Sequence, residues 1–405
     1  MSQAILFVNV PDKHHLEKMT AAQKLGVKVF LVAPVFQDWV KGIVNHFIQA
    51  DTTNFSETLS ILRSAYQDTP FDGVITLLDK SVELVAAIAQ EFNLPGSTLK
   101  AATTVKHKYK MREALREYGI PHPKFQLVKT LKNLQDAALY IGFPFIFKPV
   151  AASTSAAVFK IDSMEELEKA FHLMATCERP PFWLYPDEYL AEEFMNGQEI
   201  SVEGVINRKQ IHFAGITNKS VSSPGFTEWM HCFPTYFEPE VCSKIYELVA
   251  RAIEAVKIND CAFHVEVMMT AEGPKIVEIN SRLAGAFISS HLVPMATGID
   301  LACASIQTAL GEPIKLKSSQ QLYACERNVF AKKNGTIIAW KHIDGILDQP
   351  GVKDFKILRS VGDYVKVPPE GYDNLLCAVI TVGGTFNQAQ EVAKKALNSI
   401  ECVIE

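Results

Sequence analysis

His264-Val-Glu266-Val-Met-Met-Thr-Ala-Glu272-Gly-Pro274-Lys-Ile-Val-Glu278-Ile-Asn280-Ser-Arg282 is the stretch that decides how this 405-residue chain is read. Two alternating runs flank Ala271-Glu272-Gly273-Pro274, which predicts a β-hairpin. Centred on Glu272, the hairpin sets residues whose numbers sum to 544 opposite each other. Glu266 then faces Glu278 and His264 faces Asn280. Because strand side chains repeat every second residue, Glu278 and Asn280 share a face. Two carboxylates that close repel unless a cation lies between them. Mg²⁺, with Mn²⁺ as the alternative, takes oxygen ligands and is commonly held by one or two carboxylates together with substrate phosphates. Glu266, Glu278 and Asn280 are therefore the candidate metal ligands. The competing reading is a solvent-facing hairpin with scattered acids.

If the ion carries phosphates, other segments must hold the rest of a nucleotide. Leu190-Ala-Glu192-Glu193-Phe194-Met195-Asn-Gly197-Gln-Glu199 reads as a strand, a turn at Asn196-Gly197 and a second strand. The backbone of Glu192, Glu193, Phe194 and Met195 could meet an adenine edge, and Glu199 could accept from ribose hydroxyls. An ordinary hairpin with exposed acids is the alternative. Phe145-Ile-Phe147-Lys148-Pro149-Val150 places a lysine in an apolar strand, where desolvation costs several kcal/mol unless an anion is present. A phosphate would supply that anion, unless Lys148 points outward from an edge strand. The small residues that follow, Ala151-Ala-Ser153-Thr-Ser155-Ala-Ala157, offer hydroxyl and N–H donors to the same phosphates. Neither G-x-x-x-x-G-K-[ST] nor G-x-G-x-x-G occurs, so neither a Walker loop nor a dinucleotide fingerprint accounts for them. No G-x-S-x-G elbow points to a serine hydrolase either.

Composition narrows the classes further. Apolar residues make up 48% and charged residues 21%, as in a folded globular protein, and the length calls for two or three units. A formal net charge of -5 leaves no global positive field for nucleic acid or an anionic membrane. Eight scattered cysteines without a C-x-x-C pair read as reduced thiols, and no apolar run is long enough to span a bilayer, so a cytoplasmic setting is expected. Residues 1–97 alternate β-rich runs with helical patterns, predicting βαβ units on a parallel sheet. Residues 98–315 read as α+β, with a subdomain over about 123–195, and 316–405 as a small α+β unit. The fold class expected is thus α/β and α+β.

Taken together these residues resemble the ATP-grasp superfamily, in which two α+β subdomains clasp ATP and a small parallel-sheet domain precedes them. The resemblance implies ATP and Mg²⁺ as cofactors. It makes Lys108, in Lys108-Tyr-Lys-Met-Arg112, and Lys148 the phosphate-contacting lysines, Glu192 to Met195 the adenine hinge and Glu199 the ribose ligand. Arg282 becomes the arginine that steadies the transferred phosphoryl group and acyl phosphate. Within the superfamily the chain is most similar to L-amino-acid ligases, which join two amino acids through an acyl phosphate. Pro224-Gly-Phe-Thr-Glu228-Trp-Met-His231 looks like that family's Glu-x-x-His segment, with Glu228 or His231 accepting or guiding the amine's proton. The partners implied are small amino acids, and a homodimer is allowed for. Two departures stand out: the phosphate loop lacks glycine, and His107 replaces the acid that commonly precedes the first lysine. Leu283-Ala-Gly-Ala286 is expected to line the acyl pocket and leave room for a large apolar side chain.

Overall fold

The computed structural model describes residues 2–152, 157–176, 185, 187–222, 226–367 and 374–405. The first apolar runs form a four-stranded parallel sheet in the order His46–Gln49, Lys28–Ala33, Ala4–Val8, Gly73–Ile75. Ala4–Val8 is buried along its whole length, as the middle of a sheet covered on both faces requires. Helices Glu17–Lys24, Phe55–Tyr66 and Val82–Glu91 supply the cover. Asn54 caps the second of these, accepting from the Glu57 backbone while its amide donates to the Glu57 carboxylate at 3.0 Å.

A second, antiparallel sheet runs Phe125–Val128, Tyr189–Glu193, Phe145–Pro149, Phe159–Ile161. Helices Leu131–Ile141 and Met164–Thr176 pack Leu134, Ala137, Leu167 and Met174 onto its apolar side. The Lys148 strand is interior to this sheet, which removes the outward-pointing alternative, and Lys148 itself is buried.

The largest sheet has eight antiparallel strands, ordered Gly273–Asn280, Cys261–Thr270, Gly197–Asn207, Gln210–Val221, Glu228–Phe233, Tyr323–Phe330, Leu375–Gly383, Val352–Ile357. Its last three strands come from beyond residue 316, so the C-terminal part of the chain extends the sheet instead of standing apart from it. The remaining C-terminal strands, Tyr364–Val365, Gly335–Lys341 and Glu401–Ile404, form a small sheet of their own. Helix Phe386–Asn398, capped by Thr385, packs on the extension. Among the described residues no helix is long and apolar enough to cross a membrane.

Period-two alternation divides the large sheet into two unlike faces. Ile200, Val202, Ile216, Phe263, Val265, Val267, Ile276 and Ile279 point to one side and meet the apolar stripe of helix Pro239–Val256. Each such side chain buried there contributes about 1.5–3 kcal/mol. Glu199, Ser201, Glu203, Thr217, Lys219, His264, Glu266, Glu278 and Asn280 take the intervening positions and share the other face.

Glu266 does stand opposite Glu278, and His264 opposite Asn280. The register arises differently from the expectation. The turn is a two-residue one at Ala271-Glu272, closing Thr270 on Gly273, and one extra residue, Val277, bulges out between the Val267–Ile276 and Glu266–Glu278 pairs. The bulge leaves the Val277 carbonyl off the ladder, where it accepts from Arg112 Nη2 at 2.7 Å.

Arg112 is fully buried and also donates to Glu192 Oε2, from Nη2 at 2.9 Å and from Nε at 3.2 Å. Lys148 pairs with the other Glu192 oxygen. The desolvation argument for a phosphate at Lys148 is therefore corrected: Glu192 supplies the anion. Replacing Glu192 with alanine strands two interior cations, and a stability loss of about 3–5 kcal/mol is expected. Urea denaturation measures it, and an unchanged midpoint refutes the pairing.

Candidate active site

Lys219 marks the centre of the polar face. It is buried, and its Nζ donates to Glu228 and Glu266 at 2.7 Å each and to Glu199 at 3.1 Å. The strands Gly197–Asn207, Gln210–Val221, Glu228–Phe233 and Cys261–Thr270 are adjacent in the sheet and each contributes one of these side chains. Burial works against the ammonium, yet the three carboxylates hold its pKa well above the ordinary lysine range. Glu199 shows the strain from the other side. Burial, with repulsion from Glu266 and Glu228 only partly offset by Lys219, pushes it up to about 7.

Two histidines extend the cluster. His231 is buried, with Nε2 at 2.8 Å from Glu228 and Nδ1 at 3.2 Å from Glu326. Burial disfavours its charge, but Glu326 and Glu228 raise its pKa to about 10. A carboxylate at each ring nitrogen and the raised pKa both favour the imidazolium form of His231. Burial also opposes the charge of Glu228, yet Lys219 and His231 hold it down to about 2, so its carboxylate guides and attracts an ammonium rather than acting as a strong base. His264 stands between Glu203, 3.0 Å from Nδ1, and Glu266, 3.4 Å from Nε2. Against the effect of burial, Glu203 and Glu266 raise it to about 9.

The expected metal ligands come together on one face but not in one contact set. Asn280 is buried beside the pair, and Glu278 receives Lys108 Nζ at 3.2 Å. The carboxylates whose oxygens lie within 4.8 Å of one another are those of Glu199, Glu228 and Glu266, with Lys219 among them. Glu199, expected at the ribose, must turn away from Lys219 to reach one. The donor set nevertheless suits a divalent cation. Among the described residues the ion-pair partners of Glu199, Glu203, Glu228, Glu266, Glu278 and Glu326 are Lys108, Lys219, His231 and His264, six acids to four bases.

Around this core, Lys108 opens helix Lys108–Glu117 and also donates to the Ala152 carbonyl at 2.9 Å. His107, the helix N-cap residue, reaches Glu188 at 2.9 Å. Arg282 Nη1 donates to the Leu283 carbonyl at 2.9 Å, and its Nε lies 3.8 Å from Asp79, an acid of the N-terminal unit that also pairs with Lys106. Leu283 and Ala284, expected at the acyl pocket, are buried in a core shared with the N-terminal sheet. Only Gly285 and Ala286 of that turn are accessible, and a Cβ at Gly285 would meet nothing within 4 Å. Glu192 to Met195 are not part of a hairpin. Strand Tyr189–Glu193 belongs to the smaller antiparallel sheet and Gly197–Asn207 to the large one, so Phe194, Met195 and Asn196 form the connection between sheets. Ser153 and Ser155 lie outside the described residues, as does Pro224-Gly225 of the Glu228 segment.

Lys219, Glu203, Glu326, Asp79 and Lys18 were missed by sequence reasoning. For Glu203 a signal existed, because it holds an odd position of a strand whose even positions Ile200, Val202 and Ile206 are apolar, whereas Lys219 stands between Asn218 and Ser220 and shows no such alternation. For Glu326, Asp79 and Lys18 none did, since only tertiary folding brings them to the face.

Comparison with known proteins agrees with this architecture. Sequence profiles of the ATP-grasp N-terminal domain, the ATP-grasp domain and the L-amino acid ligase C-terminal domain 2 match residues 19–96, 141–290 and 327–405. An uncharacterised protein of Sinorhizobium fredii, y4rH, is 26% identical over 99% of this chain and 83% of its own length. The alanine–anticapsin ligase of Bacillus subtilis is 28% identical over 57% of this chain, a match that spans only 52% of that protein. Among solved structures, the L-amino acid ligase of Bacillus licheniformis shares the fold, with a TM-score of 0.87 at 20% identity, covering 100% of this chain and 99% of that one.

The histidine network has a pH signature. A group whose pKa rises on folding lends stability that is complete below its unfolded pKa of 6.5 and fades as pH climbs through its folded pKa, here about 10. The urea midpoint of the wild type is expected to exceed that of His231→Gln most at pH 6, with the gap narrowing towards pH 10. A gap that widens with pH contradicts the imidazolium assignment.

Proposed function

Because the chain is a member of the ATP-grasp superfamily, we propose that it is an ATP-dependent ligase joining two L-amino acids into a dipeptide. In this reading one carboxylate is activated as an acyl phosphate, the second amino acid's amine displaces phosphate, and ADP is the other product. The observation that carries the reading is the polar face, where Glu266 and Glu278 oppose each other with Asn280 alongside and acids outnumber bases. The L-amino acid ligase C-terminal domain profile over residues 327–405 supports the amino-acid class of substrate.

Glu266, Glu278 and Asn280 would hold Mg²⁺, with Lys108 and Lys148 serving the nucleotide's phosphates and the 192–195 connection its adenine. When bound, the ion supplies a Lewis acid that offsets charge spreading over the transferred phosphoryl group. Arg282 holds the anionic oxygen of the reacting carboxylate at the end of the same strand. Glu228, kept ionised by Lys219 and His231, orients the incoming amino group. The imidazolium of His231 locks that carboxylate in place.

Incubation with ATP, Mg²⁺ and the twenty pooled L-amino acids, followed by mass spectrometry, is expected to yield dipeptides and ADP in equal amounts. ADP formation that ignores the amino acids overturns the dipeptide reading. Glu266→Gln keeps the side chain's shape but removes its charge, and an activity loss of about 100-fold or more is expected. Turnover at the wild-type rate would show that the metal assignment is wrong.

A further inference from the structure

Among the described residues Lys18 is unlike the other buried lysines and arginines. Among the described residues the buried lysines and arginines are Lys18, Lys106, Lys108, Arg112, Lys148 and Lys219. Lys106 pairs with Asp79, Lys108 with Glu278, Arg112 and Lys148 with Glu192, and Lys219 with three glutamates. Among the described residues no carboxylate lies within ion-pair distance of Lys18, whose hydrogen bond goes to the Ala284 carbonyl at 2.7 Å. Ser289 Oγ already donates to the same carbonyl at 2.9 Å, so Lys18 is not needed to satisfy that oxygen. An interior lysine without a counter-ion gives up its proton more readily, and an anion that joins it restores the charge.

Its contact puts it beside the turn that follows Arg282. Ala284 is two residues beyond Arg282, and that arginine too has only a long contact, 3.8 Å, to an acid. Burial and the neighbouring charge of Arg282 lower the pKa of Lys18 to about 7, against the pull of Glu203, Glu17 and Glu326. Glu203 and Glu326 are the partners of His264 and His231, so Lys18 lies within electrostatic reach of both histidine networks. On the flank of the turn, the His15 ring packs 4.8 Å from that of Phe287, and His15 Nδ1 is buried without a partner.

We propose that Lys18 binds the α-carboxylate of the amine-donating amino acid. The proposal rests on the dipeptide reading and deepens it by giving the second substrate a carboxylate subsite. The lysines proposed for the nucleotide's phosphates, Lys108 and Lys148, already have acidic partners and come from other parts of the chain. Lys18 comes from the N-terminal helix and meets the turn after Arg282, where the activated carbonyl is held. An α-amino acid placed with its ammonium towards Glu228 and its carboxylate towards Lys18 would be selected over a simple amine.

The test supplies the twenty pooled L-amino acids as acyl donors with ATP and Mg²⁺. One ¹⁵N-labelled amine is added at a time: hydroxylamine, L-alanine or L-alaninamide. The wild type is expected to incorporate alanine at least tenfold better than alaninamide. Lys18→Met, which keeps the length and removes the charge, is expected to erase most of that preference through a raised KM for alanine. Equal use of alanine and alaninamide by the wild type overturns the proposal without any variant. So does a Lys18→Met protein, with an unchanged melting temperature, that keeps the full preference. Absence of labelled product with all three amines, hydroxylamine included, removes the ligase reading itself.

Discussion

One ammonium among three carboxylates governs this molecule. Lys219 is held by glutamates from three neighbouring strands, and those glutamates tolerate each other only because a positive charge lies between them. Such a concentration of charge in an interior is stable only if the scaffold is secured elsewhere. The apolar half of the same strands secures it, locked under helix Pro239–Val256. Stability and chemistry are therefore segregated by the pleat of a single sheet, with even-numbered positions packing the core and odd-numbered positions carrying charge along Gly197–Asn207.

The second constraint is that no one unit owns the site. The N-terminal unit sends Asp79 to Arg282 and Lys18 to the Ala284 carbonyl. The helix carrying Lys108 and Arg112 touches both the hairpin and the smaller sheet. The C-terminal strands bring Glu326 to His231. Each contribution is one or two polar side chains at the end of an otherwise apolar contact.

Much of this was legible in the sequence where local periodicity dictates structure. The pairing of Glu266 with Glu278 and the parallel N-terminal sheet follow from alternation and turn chemistry, whereas the interior position of the Lys148 strand was one of two alternatives the sequence left open. The Val277 bulge was invisible because a wider turn centred on Glu272 gives the same pairing of acids. The charge state of His231 was illegible for a different reason. It depends on Glu326, nearly a hundred residues away, and on burial that no local pattern encodes. Lys148 illustrates the limit of a sound argument: it did require an anion, but the sequence could not tell a ligand's phosphate from Glu192 on the neighbouring strand.

The bulged carbonyl at Val277 makes Arg112 a tie rod. A single nitrogen of its guanidinium, Nη2, donates both to Glu192 on the smaller sheet and to the backbone oxygen immediately before Glu278. Tilting the smaller sheet therefore loads the peptide unit that aims the Glu278 carboxylate. Movement of one sheet and the aim of an acid on another thus become one mechanical event, transmitted through a single buried side chain.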